Sequence, residues 1–263
     1  METTTQTITQ ERIDAVSVLT LNRPERMNAL GKPLLQSLDD ALTRLADDAQ
    51  TRVVVLTGAG TKAFSAGADI NEQRDFSPTD AYEHMRWGQA IFDRIETFAK
   101  PTIAAINGVA FGGGLELALA CDLRIVADTA RLGLPEITLA SFPGWGGTQR
   151  LPALIGASRA MRMMLTGDPV SAQWALDAGL ANDVVDADTL RDQALALANA
   201  IARHSGEALA ELKSVVRTGL REGRAVGLEA EARGVGRLWG SAAQKEAQAA
   251  FFARRKRAAP DAG

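Results

Sequence analysis

The chain has 263 residues, of which 46% are hydrophobic, 23% charged and 5% aromatic, so it is long enough and apolar enough to form a packed core. This composition excludes a disordered, collagen-like or small disulfide-stapled protein. The formal net charge of -3 gives no overall attraction to nucleic acid or to an anionic membrane, and we expect neither as a partner.

Strand and helix patterns alternate along the first part of the chain. Runs of β-branched and apolar residues predict strands at residues 12–21, 52–57, 102–107, 123–127 and 182–186. Apolar residues at helical spacing predict helices at residues 34–45, 79–99, 113–120, 146–154, 157–165 and 171–177. This alternation predicts an α/β fold.

From about residue 187 the strand patterns stop. Helical segments are predicted at residues 188–203, 206–221, 225–239 and 242–257. We therefore divide the chain into an α/β core, residues 1–186, and a helical C-terminal region, residues 187–263. No linker rich in proline, glycine or serine separates the two.

Cysteine and histidine are scarce. Cys121 is the only cysteine, and His84 and His204 are far apart in the sequence. These residues provide neither a disulfide framework nor the ligand spacing of a zinc site. The first residues lack the basic and apolar regions of a secretory signal. We therefore expect a cytoplasmic protein without a bound metal.

Two isolated carboxylates lie in the most apolar parts of the sequence. Glu116 is the only charged residue between Lys100 and Asp122, and Glu136 is the only one between Arg131 and Arg150. Burial raises the pKa of a carboxyl group toward the range useful for proton transfer near neutrality. Either residue could instead cap a helix or pair with a distant arginine. Their joint occurrence favours acid–base chemistry.

Glycine-rich segments precede two of the predicted helices. Three successive glycines, residues 112–114, lead into the helix that contains Glu116, and PGWGG at 143–147 leads into a later helix. The first N–H groups of a helix have no intrahelical partner, so such a terminus can stabilise an anion or a developing oxyanion. Close packing of helix against strand is the alternative role for these glycines. The small-residue loop FSAGADI at 64–70 could present a further N–H group.

One nucleotide-binding pattern is rejected. Gly58, Gly60 and Ala63 satisfy the relaxed G-x-G-x-x-A pattern after a strand. The residues that follow do not begin a helix with a convincing apolar period, so the context that a dinucleotide site requires is missing.

At these residues the sequence resembles the crotonase superfamily, the enoyl-CoA hydratase/isomerase family. The matching stretches are LNRPERMNAL at 21–30, AFSAGADI at 63–70, KPTIAAINGVAFGGGLELALACD at 100–122, LGLPEITLASFPGWGGTQRL at 132–151, LTGDPVSAQWALDAGLANDVV at 165–185 and AFFARRKR at 250–257. The resemblance implies an α/β spiral of ββα turns followed by a helical trimerisation region. It further implies a homotrimer or a dimer of trimers.

The resemblance also implies catalytic roles. Backbone N–H groups of Ala68 and Gly113 match the family's oxyanion hole, and Glu116 and Glu136 match the two glutamates that its hydratases use. The implied reaction is syn addition of water to a trans-2-enoyl-CoA, giving a 3-hydroxyacyl-CoA in fatty acid or related acyl-CoA metabolism. A Δ3,Δ2-enoyl-CoA isomerase or an acyl-CoA thioester hydrolase on the same scaffold is the alternative.

Contacts with the acyl-CoA substrate follow from the same comparison. They are Arg26, Met27, Ala66, Ala68, Asp69, Ile70, Gly113 and Trp145, with Phe251 and Arg254 contributed by a neighbouring subunit. No cofactor is expected, since coenzyme A is part of the substrate. Trp145 replaces the small residue often found in the PGxGG motif, which leaves the acyl-chain length open. RNA binding by the basic residues of segment 206–224 is disfavoured because glutamates interrupt them.

Overall fold

The strands of this protein form two sheets. The computed structural model describes residues 6–258, with side chains as far as residue 253. In this part of the chain the strands are β1 (Ile8–Ile13), β2 (Val16–Leu21), β3 (Val53–Gly58), β4 (Ala63–Ser65), β5 (Thr102–Ile106), β6 (Val109–Phe111), β7 (Leu123–Ala127), β8 (Arg131–Gly133), β9 (Val170–Ser171) and β10 (Asp183–Val185).

The helices connect and cover these strands. They are α1 (Lys32–Asp47), α2 (Pro78–Glu96), α3 (Gly113–Ala120), α4 (Gly147–Ile155), α5 (Ala157–Thr166), α6 (Ala172–Asp177), α7 (Leu190–Ala202), α8 (Gly206–Glu222), α9 (Arg224–Leu238) and α10 (Ala242–Ala258). Short 3-10 turns cover Pro24–Arg26, Pro135–Leu139 and Ala187–Thr189.

The larger sheet has the spatial order β1-β2-β3-β5-β7-β10 and the smaller one β4-β6-β8-β9. Only β1 and β9 run antiparallel to their neighbours among the strands described. Along the chain, a strand of the large sheet is followed by a strand of the small sheet and then by a helix, as in β3-β4-α2 and β5-β6-α3. This repeat confirms the predicted α/β spiral of ββα turns.

Burial explains why the large sheet forms. Every residue of β5 is buried, because β5 lies between β3 and β7 in the sheet and contacts both α7 and β4. On α1, the six apolar residues predicted to share one helix face are all buried: Leu34, Leu35, Leu38, Ala41, Leu42 and Leu45. The helix is thus held by its apolar stripe, as its sequence periodicity predicts.

Two local predictions differ from the structure. Residues 12–21 form a hairpin rather than one strand, since Asp14 adopts a left-handed φ of 51° between β1 and β2. Residues 63–65, predicted as loop, form β4, which is too short to show an alternating pattern. The G-x-G-x-x-A segment leads into β4 and not into a helix, which agrees with the rejection of a dinucleotide site.

The chain divides into two compact units, one extending to Ala202 and the other beginning at Arg203. The first unit includes α7, which the sequence pattern assigns to the helical region, because α7 packs against the large sheet. In the second unit, α8 and α9 form a helical hairpin. A β-carbon built on Gly227 would lie 2.7 Å from the α-carbon of Gly219, so the two helices approach closely at paired glycines. The proposed role of these helices in oligomerisation stays a prediction.

Candidate active site

The glycine-rich start of α3 lies at the centre of the site. Gly112, the residue before the helix, has a φ of 50° and donates its N–H to the carbonyl of Gly133 at 2.9 Å. A β-carbon on Gly114 would lie 2.3 Å from the carbonyl oxygen of Ser65 in β4. Glycine is therefore required at both positions, one for its backbone conformation and the other for close packing. Every residue of α3 is buried.

The two N–H groups predicted for the oxyanion hole lie side by side. Leu30 and Ala68 form an isolated parallel bridge, in which the N–H of Leu30 donates to the carbonyl of Gly67 and the carbonyl of Leu30 accepts from the N–H of Asp69. In this pattern the N–H of Ala68 points away from Leu30. A β-carbon on Gly113 would lie 3.4 Å from the nitrogen of Ala68, and one on Gly67 would lie 3.3 Å from the nitrogen of Gly113. Within the described part of the chain, neither N–H donates to a protein acceptor. Both are free to bind an anionic oxygen.

Glu116 projects from the first turn of α3 and is only 2% exposed. Its Oε1 accepts hydrogen bonds from the backbone N–H groups of Trp145, at 2.8 Å, and Gly147, at 2.7 Å. A β-carbon on Gly147 would lie 3.0 Å from the same oxygen, so glycine allows this close approach. The PGWGG segment therefore acts as a backbone cradle for one oxygen of the Glu116 carboxyl group.

Glu136 approaches α3 from the 3-10 turn at Pro135–Leu139. Its Oε1 lies 3.1 Å from the position that a β-carbon of Gly112 would occupy. Its Oε2 is buried and has no hydrogen-bond partner among the described residues. A buried carboxyl oxygen without a donor favours the protonated state of the group, because the charge would be poorly solvated.

The two carboxyl groups influence each other. The pKa of Glu116 is raised to about 7, mainly by burial and also by the nearby Glu136 charge, against the opposing hydrogen bonds from the N–H groups of Gly147 and Trp145. Burial also raises the pKa of Glu136. The charge of Glu136 acts on Glu116, so the two carboxyl groups lie close enough for the protonation of one to depend on that of the other.

Arg150 anchors the PGWGG segment to α2. Its side chain, 11% exposed, pairs with Asp93 at 2.6 Å and with Glu96 at 2.7 Å. It also donates to the carbonyl of Trp145 at 2.9 Å. Sequence reasoning did not identify this residue or the N–H groups that hold Glu116. The glycines of the segment are the only signal in the sequence that points to them.

Most of the residues predicted to contact coenzyme A lie on two adjoining loops. The N–H of Ala66 donates to the carbonyl of Met27 at 2.9 Å, which places the loop after β2 beside the loop after β4. Arg26 is exposed, Met27 is 38% exposed and Ile70 is 60% exposed, so all three are accessible to a ligand.

Asp69 differs from its neighbours on these loops. It is buried, and its carboxylate pairs with Arg23 at 3.1 Å. This carboxylate fastens one loop to the other rather than facing solvent.

The two C-terminal residues predicted to bind coenzyme A are in the second unit. Phe251 lies on α10, is 52% exposed and contacts the ring of Phe252. The side chain of Arg254 lies outside the described residues. Their part in substrate binding stays a prediction.

The described residues contain neither a metal centre nor a membrane-spanning helix. No three His, Cys, Asp or Glu side chains in residues 6–258 are grouped so that they could hold a metal ion. In the same residues, no helix has both the length and the apolar character needed to cross a membrane.

Comparison with known proteins agrees with this geometry. The sequence matches the enoyl-CoA hydratase/isomerase family over residues 11–259. It is 40% identical to the crotonyl-CoA hydratase of Syntrophomonas wolfei over 253 residues, covering 95% of this chain and 96% of that protein. It is 43% identical to the 2,3-dehydroadipyl-CoA hydratase of Escherichia coli over 219 residues, covering 83% of each.

A solved structure extends this similarity to the fold. The crystal structure of an enoyl-CoA hydratase from Bacillus anthracis has a TM-score of 0.92 and 39% sequence identity, covering 95% of this chain and 97% of that one. The fold class predicted from the sequence is confirmed, and the chain belongs to the enoyl-CoA hydratase/isomerase family.

Proposed function

We propose that this protein is an enoyl-CoA hydratase that adds water to a trans-2-enoyl-CoA, with Glu116 and Glu136 acting on one water molecule. The observation that carries the proposal is a buried carboxyl group, Glu116, and a half-buried one, Glu136, beside two free N–H donors. Relatives about 40% identical over most of the chain are named hydratases, which supports the same reaction here.

The thioester oxygen binds to the N–H groups of Ala68 and Gly113. Attack of water on Cβ moves negative charge onto this oxygen, and donors already in place stabilise that charge more strongly than they stabilise the uncharged substrate. Gly113 is the first residue of α3, so the positive end of the helix dipole adds to the effect.

The two carboxyl groups differ in their environment and therefore in their roles. Glu116 accepts two N–H hydrogen bonds, which favour its ionised form, so it takes the proton of the attacking water. Glu136 has a buried oxygen without a donor, which favours its protonated form, so it delivers a proton to Cα. Transfer of the proton now on Glu116 to Glu136 restores both groups, so the net addition is one water, and addition of the hydroxyl and the proton to one face gives the syn product.

The remaining requirements concern the substrate and the assembly. The loops that contain Met27 and Ala66 hold the coenzyme A portion, and Phe251 and Arg254 of a neighbouring subunit contact it in a homotrimer or dimer of trimers. Hydration by these groups needs no cofactor, because water and two carboxyl groups supply every atom transferred. A cytoplasmic location is part of the same proposal.

The test supplies crotonyl-CoA or its Δ3 isomer and distinguishes three products: the hydrated acyl-CoA, the isomerised acyl-CoA and free coenzyme A. Hydration predicts 3-hydroxybutyryl-CoA, identified by mass, and Glu116→Gln and Glu136→Gln should each lower turnover by about 10²–10⁴-fold with little change in acyl-CoA binding. The double variant should lose much less than the product of the two single losses, because the residues act as a unit.

Two results would replace this function with another. A Glu116→Gln protein of nearly full activity beside an inactive Glu136→Gln protein indicates an isomerase that uses one carboxylate. Release of free coenzyme A as the main product indicates a thioester hydrolase.

A further inference from the structure

The indole of Trp145 fills the space between α2 and the start of α3. A β-carbon built on Gly113 would lie 2.5 Å from its Cζ3, and one built on Gly88 would lie 2.3 Å from its Nε1. The ring therefore rests on two glycines, with its six-membered part on the oxyanion donor and its five-membered part on α2. Trp145 is 2% exposed, so almost no open space is left in this slot.

Other aromatic side chains hold the ring in place. Phe92 of α2 meets it edge-on, with ring centroids 5.4 Å apart, and His84 lies 5.6 Å from it. The Nε1 group is buried without a hydrogen-bond partner among the described residues, which is a cost of keeping tryptophan here. The indole is thus retained for its volume and shape rather than for a polar contact.

Trp145 connects this slot to the reacting atoms. Its backbone N–H holds Oε1 of Glu116, and its ring lies against Gly113. In the proposed reaction, Cβ of the substrate lies between the two carboxyl groups, so the chain beyond Cβ runs past the segment that holds Glu116. We infer that Trp145 closes the acyl pocket and restricts the enzyme to short-chain 2-enoyl-CoA substrates such as crotonyl-CoA, an inference that rests on the proposed function.

The restriction follows from packing. A longer acyl chain would have to displace a ring that is packed between two helices. If the ring stays in place, each methylene of the chain that is left unburied lowers kcat/KM by about four-fold. Chain-length selectivity should therefore depend on the size of residue 145.

The experiment measures kcat/KM for crotonyl-CoA and trans-2-octenoyl-CoA. Trp145→Ala should raise the ratio of octenoyl to crotonyl kcat/KM by about 10-fold or more, as several methylenes become buried. Trp145→Leu, which keeps more of the core packing, should give a smaller increase. Trp145→Phe retains a ring and should stay within about three-fold of the wild-type ratio. Trp174→Ala is the matched control, because this partly buried tryptophan lies on α6 and lines a different cavity.

The possible outcomes test the role of Trp145 and the proposed hydratase function separately. An unchanged ratio in folded Trp145→Ala or Trp145→Leu protein overturns the inference and indicates that the chain leaves the site elsewhere, for example past the exposed Ile137 and Leu139. If the wild-type protein hydrates neither substrate, the proposed function has failed. If Trp145→Ala does not fold, the Trp145→Leu ratio alone decides whether the inference stands.

Discussion

At the scale of single residues, the site is built around a carboxyl group that the fold holds at a cost. Burial raises the pKa of Glu116 from 4.5 to about 7. Between pH 4.5 and about 7, the folded protein therefore keeps a proton on Glu116 that the unfolded chain has lost. The free energy of unfolding therefore falls as the pH rises from about 4.5 to 7 and stays lower above that range, by about 3 kcal/mol.

The cost of burying the ionised Glu116 carboxylate predicts how a neutral side chain at this position changes stability. Glu116→Gln should unfold at a higher denaturant concentration than the wild type at pH 8, gaining up to about 3 kcal/mol, and the gain should shrink toward pH 5. The amide oxygen can still accept the N–H groups of Trp145 and Gly147. Glu83→Gln, at an exposed position of α2, serves as the control and should change little. An equal gain at both pH values would contradict the proposed burial cost.

At the scale of loops and helices, the proposed oxyanion hole depends on a glycine that is not itself one of the two proposed donors. Gly67 has a φ of 103°, and a β-carbon there would lie 2.7 Å from the carbonyl of Phe111 and 3.3 Å from the nitrogen of Gly113. Gly67→Ala should push the two loops apart and lower kcat by about 10²-fold or more, as expected for the loss of a positioned donor.

A second glycine provides the control for backbone strain. Gly179 has a φ of 80° and nothing within 4 Å of its built β-carbon. Gly179→Ala should therefore lose about 1 kcal/mol of stability and retain wild-type turnover. Similar kcat values for the two variants would show that strain alone accounts for the effect at Gly67.

Arg150 acts on Glu116 through the PGWGG loop that lies between them. Arg150 holds the carbonyl of Trp145, and its positive charge lowers the pKa of Glu116. In Arg150→Gln, the pKa of Glu116 should rise, so the acidic limb of the kcat/KM profile should move to higher pH. Displacement of the loop should also lower kcat by about 10-fold or more.

Two variants separate charge from position at Arg150. Arg150→Lys keeps the charge and should restore the pH midpoint more fully than it restores kcat. Arg94→Gln breaks a different ion pair of α2, with Asp39 at 2.7 Å, and should leave the profile unchanged. A pH profile in Arg150→Gln identical to that of the wild type would rule out the proposed coupling.

The sequence predicts the two glutamates of the site but not the backbone groups that hold them. Glu116 and Glu136 are predicted because each is the lone charge in an apolar stretch, and this pattern accounts for the full burial of Glu116 and the partial burial of Glu136. The N–H groups of Trp145 and Gly147 were missed, since a backbone donor has no side-chain signature and Gly147 is 31 positions from Glu116. Strands of two or three residues in the small sheet were missed because so few residues cannot display an alternating pattern.

At the scale of the whole molecule, the second unit exposes several large apolar side chains. The exposed apolar residues of α8 and α9 are Leu212, Val216, Leu220, Val226, Leu228 and Val235. On α8 they recur at intervals of four residues, so they form a stripe along one face. A continuous apolar stripe of this kind is typical of an interface, which agrees with the proposed homotrimer or dimer of trimers.

Disrupting this stripe tests assembly and substrate binding together. Leu220→Glu places a charge at a side chain that is 78% exposed, and it should shift the protein to a smaller species in sedimentation velocity because a charge resists burial in an interface. If Phe251 and Arg254 of a neighbouring subunit complete the coenzyme A site, KM for acyl-CoA should rise more than kcat falls. Ser214→Glu, at an exposed position off the stripe, should retain the native mass and KM. A wild-type monomer, or a Leu220→Glu protein of unchanged mass, would refute this assembly.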